Sequence, residues 1–361
     1  MLKICQILNW ATEELKKAKI ESATIDAELL LLDVLNKNNK PLSIPARTTG
    51  VVQSGRSPLR KGRGIAAPSP FEGEGGVRYI ILDKTFLYAH PEKTINKRRL
   101  TKYKKFIARR SKNEPVAYIL GHKEFFGLDF IVNKNTLIPR PETEMMVEEA
   151  IKLVSKCPVS KCQETVLIDV GTGSGCIPVS VLNKSQVTSY KLRVTTLATD
   201  ISAKALAVAK KNAKLHGLDK KIKFIKSDLL NFLCHPEPRL GIQKSFFLDS
   251  RLRGNDMMVI ITANLPYLSK KIYRQNYQGL KFEPRQALVA KNNGLDLYEK
   301  LLKQISILLV THYPLHITIL FELLPFQKPA LAKLIKKHLP EASVKFKKDL
   351  TGKWRVAIIR N

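Results

Sequence analysis

Thr165-Val-Leu-Ile-Asp-Val-Gly-Thr-Gly-Ser-Gly175 is the stretch that decides how the rest of this chain is read. Thr165–Val170 is a short, almost continuous apolar run, the pattern of a parallel strand buried on both faces. The glycines after it let backbone N–H groups approach a ligand, and the helix expected from there through Asn183 offers its N-terminus to a negative group. A glycine-rich turn alone is a weak signal. The spacing Gly171-x-Gly173-x-Gly175 departs from the dinucleotide pattern Gly-x-Gly-x-x-Gly, because Cys176 and Ile177 occupy the next two positions. A nicotinamide dehydrogenase would need that other spacing.

Downstream, apolar runs keep alternating with helical patterns, which argues for βαβ units and a parallel sheet. Val194-Thr-Thr-Leu-Ala-Thr-Asp200 reads as a second strand ending in a carboxylate, which suits the two hydroxyls of a ribose. The competing role for Asp200 is to cap the helix expected over Ala203–His216, a task Ser202 can perform instead. Ile222-Lys-Phe-Ile-Lys-Ser-Asp-Leu229 gives a third strand with Asp228 at its end, suited to an adenine amino group. Met258–Ala263 is the fourth strand, and it delivers Asn264-Leu265-Pro266-Tyr267. An amide side chain, a backbone carbonyl and an aromatic ring at the carboxyl edge of a sheet form a grip for a planar NH2 group. The plainer reading is an ordinary strand-to-turn signal. The candidate nucleoside-site residues are therefore Gly171, Thr172, Gly173, Ser174, Gly175, Asp200, Asp228, Leu229 and Asn264. The candidate catalytic residues are Asn264, Leu265, Pro266 and Tyr267.

Upstream, residues 2–38 carry apolar side chains at helical spacing, with a break and a new helix start at Ser22-Ala-Thr-Ile-Asp26. Two or three packed helices follow, forming either a recognition domain or a helical cap with no partner of its own. Residues 41–78 are rich in Gly, Pro and Arg and poor in large apolar residues, the composition of a disordered insertion. A second stretch of the same flavour, 234–257, interrupts the catalytic half. Closure entropy grows only logarithmically with loop length, so such insertions cost little stability. Helical pattern resumes over Lys84–Arg110. Phe125-Phe-Gly-Leu-Asp-Phe-Ile-Val132 alternates as a β-hairpin does, and Pro141 opens a helix running to about Lys156. The expected division is a helical domain over 1–110, a hairpin linker over 111–140 and a catalytic domain over 141–361.

The chain has 361 residues and a formal charge of +31, a balance that suits nucleic-acid, ribosome or membrane-surface contact, or simply reflects Lys scattered over helix faces. No Arg/aromatic stripe of the kind that stacks bases accompanies it. The five cysteines are odd in number and dispersed, which argues against a disulfide framework and for a reducing compartment. Cys157 and Cys162 have no matching pair nearby, so no metal site is expected. The N-terminus lacks a leader pattern and no apolar run reaches membrane-spanning length, so the expectation is a cytoplasmic protein without membrane contact.

Four motifs in order, Pro115-x-x-Tyr118-Ile-x-Gly121, Ile138-Pro-Arg-Pro-Glu-Thr-Glu144, Asp169-x-Gly-Thr-Gly-Ser-Gly175 and Asn264-x-Pro-Tyr267, resemble the PrmC/HemK family of protein-glutamine methyltransferases. Later segments resemble it too: Phe282-Glu-Pro-Arg285 with Ala287-Leu288, Gly294-Leu295, Glu322 with Gln327, and Asp349-x-x-Gly352-x-x-Arg355. Asp26-Ala-Glu-Leu-Leu30 fits the family's helical N-terminal domain. The resemblance implies an α/β fold, a Rossmann-like class I methyltransferase domain with a seven-stranded, mostly parallel sheet, joined by a β-hairpin to a small N-terminal helical domain. It implies S-adenosylmethionine as methyl donor and class 1 peptide chain release factors as protein substrate, methylated on the glutamine of their Gly-Gly-Gln motif. A monomer without a stable nucleic-acid complex is the accompanying expectation.

One departure stands out. The family usually has Asn-Pro-Pro-Tyr, and this chain has Leu265 in place of the first proline, the form typical of rRNA adenine dimethyltransferases. An adenine-N6 methyltransferase acting on rRNA or DNA is therefore the competing enzyme reading. Those enzymes place their glycine loop near the N-terminus and lack the Ile-Pro-Arg-Pro-Glu-Thr-Glu segment. Outside enzyme chemistry, the same residues would suit a non-catalytic RNA- or ribosome-binding protein, and the two insertions would suit a degraded reading frame. In the expected mechanism the Asn264 side-chain oxygen and the Leu265 carbonyl accept the two N–H bonds of the target amide, Tyr267 covers the substrate, and Phe125 or Phe126 walls the pocket or packs in the core.

Overall fold

The computed structural model describes residues 2–36, 71–72, 78–79, 82–156, 164–188, 194–234, 257–311 and 316–361. The insertion read over 234–257 lies almost wholly outside these residues, as does the one over 41–78. Of the latter only Phe71–Glu72 and Arg78 are described, in the short antiparallel pair β2 (Phe71–Glu72) with β3 (Arg78–Tyr79); a second such pair joins β1 (Leu2–Lys3) to β4 (Thr94–Ile95). The chain divides into two compact units, residues 1–120 and 121–361.

In the first unit, helices Ile4–Lys17, Ala23–Asn36 and Lys97–Arg110 pack around Leu15, Leu30, Leu31 and Ile107, all nearly inaccessible. The break expected at Ser22 is present. The pattern read as continuous over Lys84–Arg110 is two helices, because Pro91 falls between Lys84–Ala89 and Lys97–Arg110. Two polar ties, one buried and one half-buried, fix the bundle. Tyr103 donates to the Ala27 carbonyl at 2.9 Å, and Arg110 Nε donates to Asp26 Oδ2 at 2.7 Å.

The second unit begins with the hairpin β5 (His122–Phe125) and β6 (Leu128–Ile131). Its turn is Phe126-Gly127, both residues with positive φ (+54° and +73°), the geometry that matches the twist of a two-residue hairpin. The stretch Phe125–Val132 read as a hairpin is thus its turn and second strand, and the first strand is the polar His122–Phe125. The hairpin belongs to the second unit, where a separate linker over 111–140 was expected.

The seven-stranded sheet contains β7 (Glu164–Val170), β8 (Val194–Asp200), β9 (Ile222–Lys226), β10 (Met257–Ala263), β11 (His316–Glu322), β12 (Ser343–Lys348) and β13 (Trp354–Arg360). Their order is β12-β13-β11-β10-β7-β8-β9. Strands β11, β10, β7, β8 and β9 pair in parallel, and β13 runs antiparallel between β11 and β12. This is the seven-stranded, mostly parallel methyltransferase sheet expected. Successive β7 side chains face opposite layers. Val166, Ile168 and Val170 meet helices Asp296–Thr311 and Lys328–His338, and Leu167 meets Glu144–Lys156 and Cys176–Thr188. Coverage on both faces is why the centre of β7, Val166–Ile168, and all of β10 except Thr262 are apolar.

The chain leaves β7 toward β8 and β9 on one side, then returns to β10 on the other. That reversal opens a crevice at the carboxyl ends of β7 and β10, where open α/β sheets receive ligands.

Candidate functional site

The turn after β7 is held by Gly171 N–H and Thr172 N–H, which donate to the Thr199 carbonyl at 2.9 and 2.8 Å. Gly171 has φ +74°, and a Cβ there would come within 3.1 Å of Leu265 Cδ2. Leu265 is 2% exposed. Its side chain fills the space a larger residue at 171 would claim, so burial holds this backbone where a proline ring would otherwise stiffen it.

At the end of β8, Asp200 Oδ2 accepts from Gly173 N–H at 2.9 Å and Oδ1 from Ser202 N–H at 2.8 Å. Burial raises its pKa, and those two N–H groups pull it back. Ser202 caps the following helix by accepting from Ala205 N–H at 3.2 Å, which leaves Asp200 without capping duty. Strand β9 ends earlier than its apolar pattern implies, so Asp228 and Leu229 lie on the turn after it. Leu229 has φ +56°, a strained value for a branched residue, and the Asp228 carboxylate is paired with Lys300.

A cavity of about 360 Å³ joins these strand ends. Gly171, Thr172, Gly173, Ser174, Asp200, Asp228, Leu229, Asn264, Leu265 and Pro266 all line it. Gly175 does not: it sits where a Cβ would be 3.1 Å from Ala209 Cβ and serves close helix packing. Tyr267 does not either, and lines instead a second cavity of about 310 Å³ with Glu142, Asn276 and Arg355. Asn264, Leu265, Leu137, Arg140 and Ala287 border both. The four residues of the strand-end motif thus separate into Pro266 facing one cavity, Tyr267 facing the other, and Asn264 with Leu265 between them.

Asn264 is held by a chain of hydrogen bonds that the motif alone does not reveal. Its Nδ2 donates to Thr143 Oγ1 at 3.1 Å, and Thr143 Oγ1 donates to Glu322 Oε2 at 2.7 Å. Tyr267 donates its hydroxyl to Glu322 Oε1 at 3.0 Å. Asn264 Oδ1 is buried and accepts nothing. Next to it, the Leu265 carbonyl lies 3.4 Å from the Tyr298 hydroxyl, whose single proton is committed to the Glu322 carbonyl at 2.6 Å. Two acceptors, one of them an orphaned buried amide oxygen, therefore stand side by side at the end of β10.

Glu322 is 2% exposed, and burial raises its carboxyl pKa against the lowering effect of Thr143 and Tyr267. Thr143 and Glu322 both occur in segments of the family resemblance, yet neither was expected at the site. One lies on the 3₁₀ turn Pro141–Thr143 and the other at the end of β11, and only the fold joins them.

The surrounding loops are pinned to the sheet. Arg140 and the Ile138 N–H both reach the buried Glu283 carboxylate, which fixes the Ile-Pro-Arg-Pro segment beside both cavities. Gln327 Nε2 donates to the Tyr267 carbonyl at 3.0 Å and to the Asn293 carbonyl at 2.8 Å. Asn212, fully buried, exchanges two hydrogen bonds with the Ile131 backbone and gives a third to the Ser174 carbonyl at 2.8 Å, tying hairpin to glycine turn. Phe125 packs against Phe130 in the core, and neither Phe125 nor Phe126 lines either cavity. Among the described residues no cluster of His, Cys, Asp or Glu is arranged to hold a metal ion, and no helix is long and apolar enough to cross a membrane.

Comparison with known proteins places the chain. Residues 6–47 and 80–121 match the family described as PrmC N-terminal domain, and residues 148–235 match the methyltransferase small domain. The release factor glutamine methyltransferase of Enterococcus faecalis is 32% identical over 304 residues, covering 81% of this chain and 95% of that protein. Its counterpart in Mycoplasma mycoides subsp. mycoides is 30% identical over 281 residues, 77% and 88% of the two chains. A solved release factor-specific protein-(glutamine-N5) methyltransferase from Alicyclobacillus acidocaldarius aligns at 22% identity and a TM-score of 0.33, covering 64% of this chain and 99% of that one. Identity sustained over nearly the whole length of the Enterococcus protein, through both the helical unit and the sheet, makes this chain a member of the release factor glutamine methyltransferase family.

Proposed function

We propose that this protein transfers the methyl group of S-adenosylmethionine to the side-chain amide nitrogen of the glutamine in the Gly-Gly-Gln motif of class 1 peptide chain release factors. The observation that carries the reading is the orphaned Asn264 Oδ1 beside the Leu265 carbonyl, set between two cavities. An amide NH2 offers two donors and needs two acceptors in this disposition.

The residues around the larger cavity fit S-adenosylmethionine. The glycine turn at 171–173 leaves room for backbone approach, the Asp200 carboxylate suits the ribose hydroxyls, and Asp228 and Leu229 suit the adenine. When bound, the cofactor supplies an electrophilic methyl group on a sulfonium. The protein's part is to make a poor nucleophile competent. A glutamine nitrogen is weakly nucleophilic because its lone pair is delocalised into the carbonyl. Accepting its two N–H bonds on Asn264 Oδ1 and the Leu265 carbonyl localises that pair and aims it across the boundary between the cavities. Pro266 borders the cofactor side, and Tyr267, anchored by its hydroxyl on Glu322, walls the substrate side.

The helical unit, residues 1–110 with the segment up to the hairpin, serves as the release-factor-recognition domain, and the rest carries the chemistry. The protein works as a cytoplasmic monomer without a stable nucleic-acid complex. Incubation with labelled S-adenosylmethionine and, separately, a release factor or ribosomal RNA tests the reading. Label on the Gly-Gly-Gln glutamine is expected, and label on RNA alone would replace it with an adenine-N6 methyltransferase.

A further inference from the structure

We infer that Glu322 is a positioning residue which, through the Thr143 hydroxyl, fixes which way round the Asn264 amide stands. The inference rests on the proposed reaction and names a part of it that neither the strand-end motif nor the family comparison assigns.

Donor counting leads to it. An ionised carboxylate accepts hydrogen bonds and donates none, and against the upward push of burial the Thr143 and Tyr267 hydroxyls together with the Arg355 charge favour that form of Glu322. Glu322 takes two, from Thr143 Oγ1 on one oxygen and from the Tyr267 hydroxyl on the other. Thr143 has a single hydroxyl proton, and at 2.7 Å from Glu322 Oε2 that proton is committed. Its oxygen is then left as an acceptor toward Asn264, so the group Asn264 turns to it must be the NH2, found at 3.1 Å. The oxygen is driven to the other side, where it is buried without a donor. Without Thr143 and Glu322 nothing among the described contacts distinguishes the two orientations of a nearly symmetrical amide. The wrong one would present an N–H to the incoming NH2, donor against donor. Glu322 itself is well held. Glu142 and Arg355 act on it with opposite charge, and Tyr298, Tyr267 and the buried Cys176 are the other titratable groups coupled to it.

The two residues are far apart in sequence, at 143 and 322, and approach only because the 3₁₀ turn Pro141–Thr143 packs at the carboxyl ends of β10 and β11. The carboxylate lines neither of the two cavities at the end of β10, which makes it a positioning residue and not a group that touches substrate.

The test compares Thr143→Val, Thr143→Ser, Glu322→Gln and the Thr143→Val/Glu322→Gln pair with the wild type. Each is assayed for methyl transfer to a release factor, with S-adenosylhomocysteine binding measured by calorimetry as a control on the fold. Thr143→Val is expected to lower kcat on the order of tenfold or more while leaving KM for the release factor and the cofactor-product Kd within about twofold, and Thr143→Ser to recover most of the rate. Glu322→Gln should slow turnover too, and the pair should be no slower than the slower single variant, because both act on one amide. Wild-type kcat in Thr143→Val, or losses that multiply in the pair, would overturn the relay. If Thr143→Val does not fold, Glu322→Leu, which leaves the Thr143 hydroxyl no acceptor at that position, overturns the relay alone by keeping wild-type kcat. A wild type that labels only RNA would refute the proposed substrate but not the relay, since the same variants are then read on adenine, also an NH2. A wild type that binds cofactor and labels neither would overturn both.

Discussion

Asn264 and Asp169 show how much one side chain can carry at this strand edge. Removing the Asn264 acceptor should cost transition-state stabilisation of the kind lost when an oxyanion-hole donor is deleted, about 2.7–4 kcal/mol. Asn264→Ala is therefore expected to turn over 10²–10³-fold more slowly, on the order seen in such deletions, with a much smaller loss of cofactor affinity, since Asn264 also borders the cofactor cavity. A kcat assay beside calorimetry checks both halves. Asp169 works differently. It is fully buried on β7, with the Thr262 hydroxyl donating to Oδ1 at 2.7 Å. Burial pushes its carboxyl up to about 6, while the Thr172 and Thr262 hydroxyls pull the other way. The folded state thus holds this proton more tightly than the unfolded chain does. The resulting stability is fully present below the unfolded pKa near 3.8 and is lost as pH rises through about 6. Asp169→Asn escapes that loss, so without cofactor it should be more stable than wild type at pH 7.5 by on the order of 3 kcal/mol, with the difference vanishing near pH 4. Urea melts at the two pH values measure it.

At the level of elements, the loop after β10 is shaped by a partner segment more than by its own residues. Asn292, Asn293 and Gly294 have φ of +47°, +54° and +88°, three consecutive left-handed residues just before the helix Asp296–Thr311. The strain is matched by a need for closeness. A Cβ on Gly294 would stand 1.9 Å from the Tyr267 carbonyl oxygen and 2.6 Å from Gln327 Nε2. Gly294→Ala must therefore push apart the three-way junction that holds Tyr267, and it should both destabilise the fold by about 1–3 kcal/mol and lower kcat. A thermal melt read together with the methyl-transfer rate separates it from Asn264→Ala, which loses rate alone. Elements of this kind are only partly legible in the sequence. Strand Val194–Asp200 and the acidic strand ends follow from local pattern. The hairpin's first strand does not, because His122-Lys-Glu-Phe125 has little apolar alternation and is paired by the turn chemistry of Phe126-Gly127.

For the whole molecule, every residue lining either cavity falls within 121–361. The fragment 121–361 is expected to bind S-adenosylmethionine with a Kd within about threefold of the full chain, since binding should follow contacts confined to that unit. It is expected to lose most of its release-factor turnover if the helical unit carries recognition. Calorimetry on the fragment and a transfer assay on both forms check this. The match to the N-terminal family runs through 6–47 and resumes at 80, so the intervening residues fall outside what that family shares with this chain.

The sequence by itself determined the strand-turn-helix alternation, the acids at the ends of β8 and near the end of β9, the glycine turn and the Asn-Leu-Pro-Tyr motif at the end of β10, because each is encoded in neighbours a few residues apart. Hydrophobic period, glycine φ and strand-end chemistry are local matters. Tertiary structure decided the rest. The Thr143–Glu322 relay joins positions 179 residues apart, the Leu265 side chain takes its rigidity from Gly171 across the sheet, and Gln327 and Gly294 lock Tyr267 from two further loops. Hydrogen-bond complementarity between distant segments leaves no period or composition to read in a single chain; it exists only once β7, β10 and β11 stand side by side.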